Sequence, residues 1–168
     1  MKQNKGFTLI ELLAVIVILA IIALIATPIV LNMIASARKS AAKSSTLGYV
    51  DSIEYYAGFA QANVDGIGLD ASYNSENLIT GTCNVKSTST PCKEFIAAVS
   101  SKHKGSAPEE GYFTVSANGS VSAAEFKYNG YKCTYDATKP SDTKCESGSV
   151  SAGTENATLN TASATSQS

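Results

Sequence analysis

The chain has 168 residues, enough for one compact domain with appendages, and its 13 Lys and Arg against 14 Asp and Glu leave a formal net charge of −1. A nucleic-acid binder needs basic residues clustered on one face, so this balance gives that class no electrostatic footing. Hydrophobic residues make up 44% of the chain but are unevenly spread: a long apolar run lies near the N-terminus, and everything after Ala35 has the composition of ordinary soluble protein with a Ser/Thr-rich end.

Lys2 and Lys5 form a short basic leader ahead of the run from Leu12 to Ile34, which only Thr27, Pro28 and Asn32 interrupt. At about 1.5 Å per residue, a helix over this run covers roughly 35 Å and spans a hydrocarbon core of about 30 Å. A secretory signal peptide shares the basic leader, but its apolar region is shorter and a small-x-small cleavage site follows it, which is lacking here. Against a plain membrane anchor stands Glu11 at the front edge of the run. An ionisable residue costs about 2.5–3.5 kcal/mol at the centre of a membrane helix, less toward the interface, and calls for a partner.

The residues Lys5-Gly6-Phe7-Thr8-Leu9-Ile10-Glu11, followed by the apolar run and Pro28, resemble the signature of type IV prepilins and their pseudopilin relatives. The resemblance is strong over about 40 residues and gives only a general architecture beyond them. It implies that a prepilin peptidase cuts between Gly6 and Phe7 at the cytoplasmic face and N-methylates Phe7. It implies that Glu11 meets the new amine of a neighbouring subunit, and that Glu11 and Pro28 belong to the assembly helix. The implied partners are other pilin subunits in a homopolymer, the peptidase and, indirectly, an inner-membrane platform and an assembly ATPase. Lys2 and Lys5 favour a cytoplasmic N-terminus; Arg38, Lys39 and Lys43 pull the opposite way, and the cysteines and polar tail point the C-terminal part outside.

Beyond the membrane run, Leu47, Val50, Ile53, Ala57 and Ala60 recur at three- and four-residue steps, with Tyr56 and Phe59 as flanks. This periodicity predicts that one helix runs from Phe7 to about Ala62 and buries the stripe of its second half against a sheet. Pro28 cannot donate to the carbonyl of Leu24 and is expected to kink or loosen that turn. From Asn63 to Thr90 the composition reads as a connecting loop region, and a short helix begins beside Cys92. Two Asn-Gly pairs, at 118–119 and 129–130, predict three antiparallel strands over 112–116, 122–128 and 131–135. Phe113 and Val115 share one face and Phe126 and Tyr128 share a face of their strand, so that one side can pack on the helix stripe; these aromatics read as sheet packing rather than a ligand box. From Glu146 onward Ser, Thr, Ala, Gly and Asn dominate, which predicts disorder.

The four cysteines suit a small domain stapled in an oxidising compartment. Their spacings of 9 and 12 miss the C-x2-4-C pattern of structural zinc, and His103 is the single histidine. Among three possible connectivities, local pairing of Cys83 with Cys92 and of Cys133 with Cys145 closes the shorter loops at lower entropy cost; the second pair would clamp the last strand as the C-terminal loop of many pilins is clamped. No G-x-S-x-G, phosphate-cradling loop or H-E-x-x-H is present, so no catalytic residue, metal site or cofactor is expected. His103 reads as a solvated loop residue, and the adjacent Glu109 and Glu110 as a solvated turn. The sequons at Asn118 and Asn156 are short motifs that recur by chance.

The expected fold class is α+β: a long N-terminal helix with a membrane-spanning first half and a small antiparallel sheet packed on its second half. The expected organisation is a leader at 1–6, a transmembrane and polymerisation segment at 7–34, a globular domain at 35–146 and a disordered tail at 147–168. The expected function is that of a structural subunit of an extracellular type IV pilus. The alternatives are a pseudopilin of a type II secretion or competence system and, from another class, a single-span surface adhesin whose helix only anchors.

Overall fold

The computed structural model describes residues 6–61 and 78–160. Residues 1–5 of the leader, 62–77 of the expected loop and 161–168 of the tail lie outside the described residues. Two compact units are distinguished, Met1–Arg38 and Lys39–Ser168. Helix α1 runs from Leu9 to Gln61 and continues without interruption through Pro28.

The second unit is an α+β domain. Strands β1 (Leu78–Asn84), β2 (Glu110–Val115), β3 (Val121–Tyr128), β4 (Tyr131–Asp136), β5 (Lys144–Ser147) and β6 (Thr158–Asn160) pair antiparallel in the order β5-β4-β3-β2-β1-β6. A second helix, α2 (Cys92–Lys102), lies between β1 and β2 in sequence. The β3–β4 hairpin turns on Asn129 and Gly130, both at positive φ (50° and 83°). Only a turn with two left-handed residues matches the twist of adjoining strands in so short a loop, and Asn-Gly adopts it at least cost.

Alternation places Phe113 and Val115 of β2, Phe126 and Tyr128 of β3, and Cys133 and Tyr135 of β4 on the buried face. Ala124 keeps the alternation of Phe126 and Tyr128, whereas Val121 breaks it and is buried all the same. A register shift between Thr114 and Val115 explains this, because a bulge changes which side the next residues face. Onto this face α1 lays Ala42, Thr46, Tyr49, Val50, Ile53, Tyr56 and Ala57, all buried, at the three- and four-residue steps of one helix face. The stripe sits slightly off the expected one: Leu47 is only half-buried and Tyr56 belongs to the core rather than its flank. The side chains of Phe59 and Ala60 lie outside the described residues. Tyr49 meets Phe126 edge-on at 5.2 Å, and Phe95 of α2 meets Phe113 at 5.9 Å.

Polar ties set the register of α1 on the sheet. Glu54 Oε1 accepts from the backbone N–H of Val121 at 2.9 Å, and Tyr128 Oη donates to the carbonyl of Ser45 at 3.3 Å. Lys43 Nζ donates to the carbonyl of Ser141 at 2.8 Å, holding the turn before β5. Burial, and then the charge of neighbouring Tyr49, pushes the Tyr128 phenol far above its ordinary range.

Two expectations need correction. The stretch 63–90 is not all loop, because β1 forms at 78–84 and pairs with β2 through Gly81↔Val115 to Asn84↔Tyr112. The tail does not begin as disorder at 147: Ser147 ends β5, and Thr158–Asn160 pairs with Leu78–Thr80 as β6. What holds this polar segment is side-chain hydrogen bonding to main chain, which needs little apolar burial. Asn84 donates from Nδ2 to the carbonyl of Gly153 at 2.9 Å and accepts its N–H at Oδ1 at 2.8 Å, imitating a strand. Asn156 repeats the device on Thr82, with Oδ1 accepting the Thr82 N–H at 2.8 Å and its own N–H donating to the Thr82 carbonyl at 3.2 Å.

Candidate assembly site

Gly6, Phe7 and Thr8 precede the first helical residue, Leu9, and are exposed, with Phe7 at 90% of its full accessibility. The peptide bond between Gly6 and Phe7 therefore lies outside the helix and is exposed. A Cβ added to Gly6 would meet nothing within 4 Å. Nothing described in the chain itself requires glycine at position 6.

Thr8 and Glu11 close the start of α1 on each other. Glu11 Oε2 accepts from the Thr8 N–H at 2.9 Å and from Thr8 Oγ1 at 2.7 Å, while the Glu11 N–H donates to Thr8 Oγ1 at 3.3 Å. This is a capping box, in which N-cap and third helical residue satisfy each other's donors, and a carboxylate in the first turn also suits the helix dipole. The spacing Thr8-x-x-Glu11 is its visible sequence signal. A cut between Gly6 and Phe7 leaves the Thr8 amide, and hence the box, intact. It would create an amine one residue before Thr8, whose N–H and Oγ1 both bond Oε2 of the Glu11 carboxylate.

From Leu9 to Ile34 every large apolar side chain of α1 is exposed, among them Ile16 at 56% and Leu24 at 79%. These residues occupy all sides of the cylinder rather than a stripe, so no single protein surface could cover them. Lipid, or like helices on every side, could. The described part of this apolar segment is one helix long and apolar enough to cross a membrane. Thr27 Oγ1 bonds the carbonyl of Ala23 at 2.6 Å just before Pro28.

The cysteines are paired in the globular unit. Cys83 of β1 is bonded to Cys92 of α2 with Cα atoms 5.5 Å apart, and Cys133 to Cys145, directly opposed across β4 and β5, with Cα atoms 4.0 Å apart. His103 is not the solvated residue its charged surroundings suggest. It is half-buried at the end of α2, with Nδ1 2.9 Å from Ser52 Oγ and its ring edge-on to Tyr49 at 5.2 Å. Because Ser52 Oγ also bonds the Gly48 carbonyl at 2.7 Å, the imidazole ties α2 to α1. Glu109 and Glu110 diverge: Glu109 Oε1 accepts the Asn129 N–H at 2.9 Å, whereas Glu110 lies 3.7 Å from Lys86 and 3.4 Å from Lys127.

Residues 1–27 match the family model described as the prokaryotic N-terminal methylation motif. No curated protein and no solved structure matches the chain. The motif marks a pilin-type structural subunit rather than a known enzyme family. It covers the unwound Gly6–Phe7 bond, the Thr8–Glu11 cap and most of the uncovered apolar helix, and it supports a type IV pilin- or pseudopilin-like precursor, with which the long N-terminal apolar helix and the α+β globular domain are consistent.

Proposed function

We propose that the chain is a structural subunit of an extracellular type IV pilus, cut between Gly6 and Phe7, N-methylated on Phe7 and polymerised through the apolar half of α1. The observation that carries this reading is the contiguity of the methylation motif with a helix segment exposed on all sides from Leu9 to Ile34. In the membrane that surface faces lipid. After extraction, only a bundle of identical helices could keep it from water, since burying each large side chain is worth about 1.5–3 kcal/mol. Glu11 then pairs with the Phe7 amine of a neighbouring subunit. Desolvation of both ions offsets much of their attraction, so the pair fixes axial register and drives docking more than it adds bulk stability.

The partners of this cycle are the prepilin peptidase, the membrane platform with its ATPase, and other copies of the chain. Residues 39–160 then face outward. Filaments sheared from cells and measured by intact mass test the reading. The subunit should begin at Phe7, carry one added methyl group and retain both disulfides. A subunit that begins at Met1 or after Ala26, or a chain found only as a dispersed membrane protein, would overturn it and leave a single-span adhesin. Fibres seen only when a secretion or competence system is overproduced would favour the pseudopilin reading.

A further inference from the structure

We propose that the outer edge of β1 is a strand-acceptor site for the 153–160 segment of a second copy of this chain, exchanged for the chain's own segment. The proposal rests on the polymerising role above, because assembly is what brings copies together.

After β5 the chain leaves one edge of the sheet and crosses its outer face to the opposite edge. The register row Lys144, Thr134, Glu125, Tyr112, Asn84 marks this path across five strands. The Ser151 N–H reaches Glu125 Oε1 at 3.3 Å, and Gly153 lies so close to Tyr112 that an added Cβ would fall 2.8 Å from the ring. Residues 153–160 then run along β1, through the Asn84 and Asn156 pairs and the three-residue ladder of β6. Glu155 accepts from the hydroxyls of Ser87 and Ser89 beyond the strand's end.

Three features make the segment exchangeable. Its bonds are polar and local to β1, and among its described side chains only Ala157 adds to the core. A second copy presents the same atoms, so an exchanged segment makes every one of these bonds again and the contacts do not distinguish the two states. What decides is effective concentration and the connecting link. That link, 148–152, is short and built of Gly, Ser, Val, Ser and Ala, and short hinge links favour exchange. From Ser147 to Gly153 it extends to about 20 Å at most, so only an immediate neighbour can donate.

The test places a photoreactive benzoylphenylalanine at Thr158, which is exposed and stands opposite Thr80, in the full-length chain, co-expressed with an affinity-tagged unlabelled copy. Irradiated membranes and sheared filaments are then mapped by mass spectrometry. Exchange predicts crosslinks from position 158 of one chain to 78–82 of the tagged chain, enriched several-fold in filaments over membranes. Crosslinks that stay within one chain in both preparations would overturn it. Interchain crosslinks in a strain that makes no fibres would sustain exchange while removing the filament reading. If the label at 158 impairs folding, the same label at Thr154, also exposed, reads the same exchange through crosslinks to 82–84, which Gly153 and Asn156 flank.

Discussion

Helix α1 passes through two solvents. Between Leu9 and Ile34 its large apolar residues stand exposed on every side, whereas Tyr49, Val50, Ile53 and Tyr56 of the same helix are buried and Asp51 and Tyr55 stay outside. The second half has a face because its own sheet gives it one. The first half has none, because no described side chain covers it. The same hydrogen-bonded geometry thus serves two tasks, and side-chain patterning alone assigns them.

The largest expected effect lies in the first half. Glu11→Val should leave membrane insertion and cleavage after Gly6 in place while fibres vanish or fall sharply in number by electron microscopy. Fibres of normal abundance and symmetry from this variant would show that Glu11 is not the register element. A matched pair sharpens the comparison: Ile53→Ala, fully buried, should destabilise the globular domain by about 2–5 kcal/mol in denaturant unfolding. Ile18→Ala, exposed in the first half, should shift the same transition by no more than about 0.5 kcal/mol. Equal shifts would mean that the two halves are not independent. Replacing Cys133 and Cys145 together by Ser opens a loop of 12 residues and should cost about 3 kcal/mol. Reducing agent, which also opens Cys83–Cys92, should cost the wild-type chain at least as much and have no further effect through the 133–145 pair in the variant.

The smallest effect is one of pH. Burial raises the folded-state pKa of Tyr128 above its unfolded value, so its contribution is fully present below about pH 10 and is lost as pH rises above it. Unfolding of the detergent-solubilised protein should therefore steepen above pH 10, with the tyrosinate absorbance of the buried phenols appearing together with the loss of structure. Tyr128→Phe should lessen the slope. Ionisation of Tyr128 in a domain that stays folded would contradict the burial argument.

Much of this was legible in the residues, for reasons that also explain what was not. The second-half stripe of α1 and the strands joined by Asn-Gly carry their own periodicity and turn chemistry, and the structure has them within one or two residues of the expected bounds. β1 escaped notice because Thr80, Gly81, Thr82 and Asn84 resemble a loop; its strand character comes from β2 on one side and Asn156 on the other. β5 has one apolar residue, Cys145, and depends on pairing with β4. The crossing segment depends on Asn84 and Asn156, residues that composition counts toward disorder. At the N-terminus, the spacing Thr8-x-x-Glu11 already carries the cap that the structure shows. His103 is the opposite case: charged neighbours in sequence conceal Tyr49 and Ser52, which only the packing of α2 on α1 brings near.

The placement of the two disulfides bears on how the domain answers a pulling force. Under load a sheet yields by peeling from an outer strand, one pair of bonds at a time, rather than by shearing all its ladders together. Here β5 is covalently riveted to β4, and β1 to α2, whose Phe95 and Val99 are set in the core. Peeling of the five strands from β5 to β1 must therefore begin at a covalent stop on either side. Among the described strands only β6 lies beyond the rivets, so tension would strip it first and leave the rest of the sheet standing.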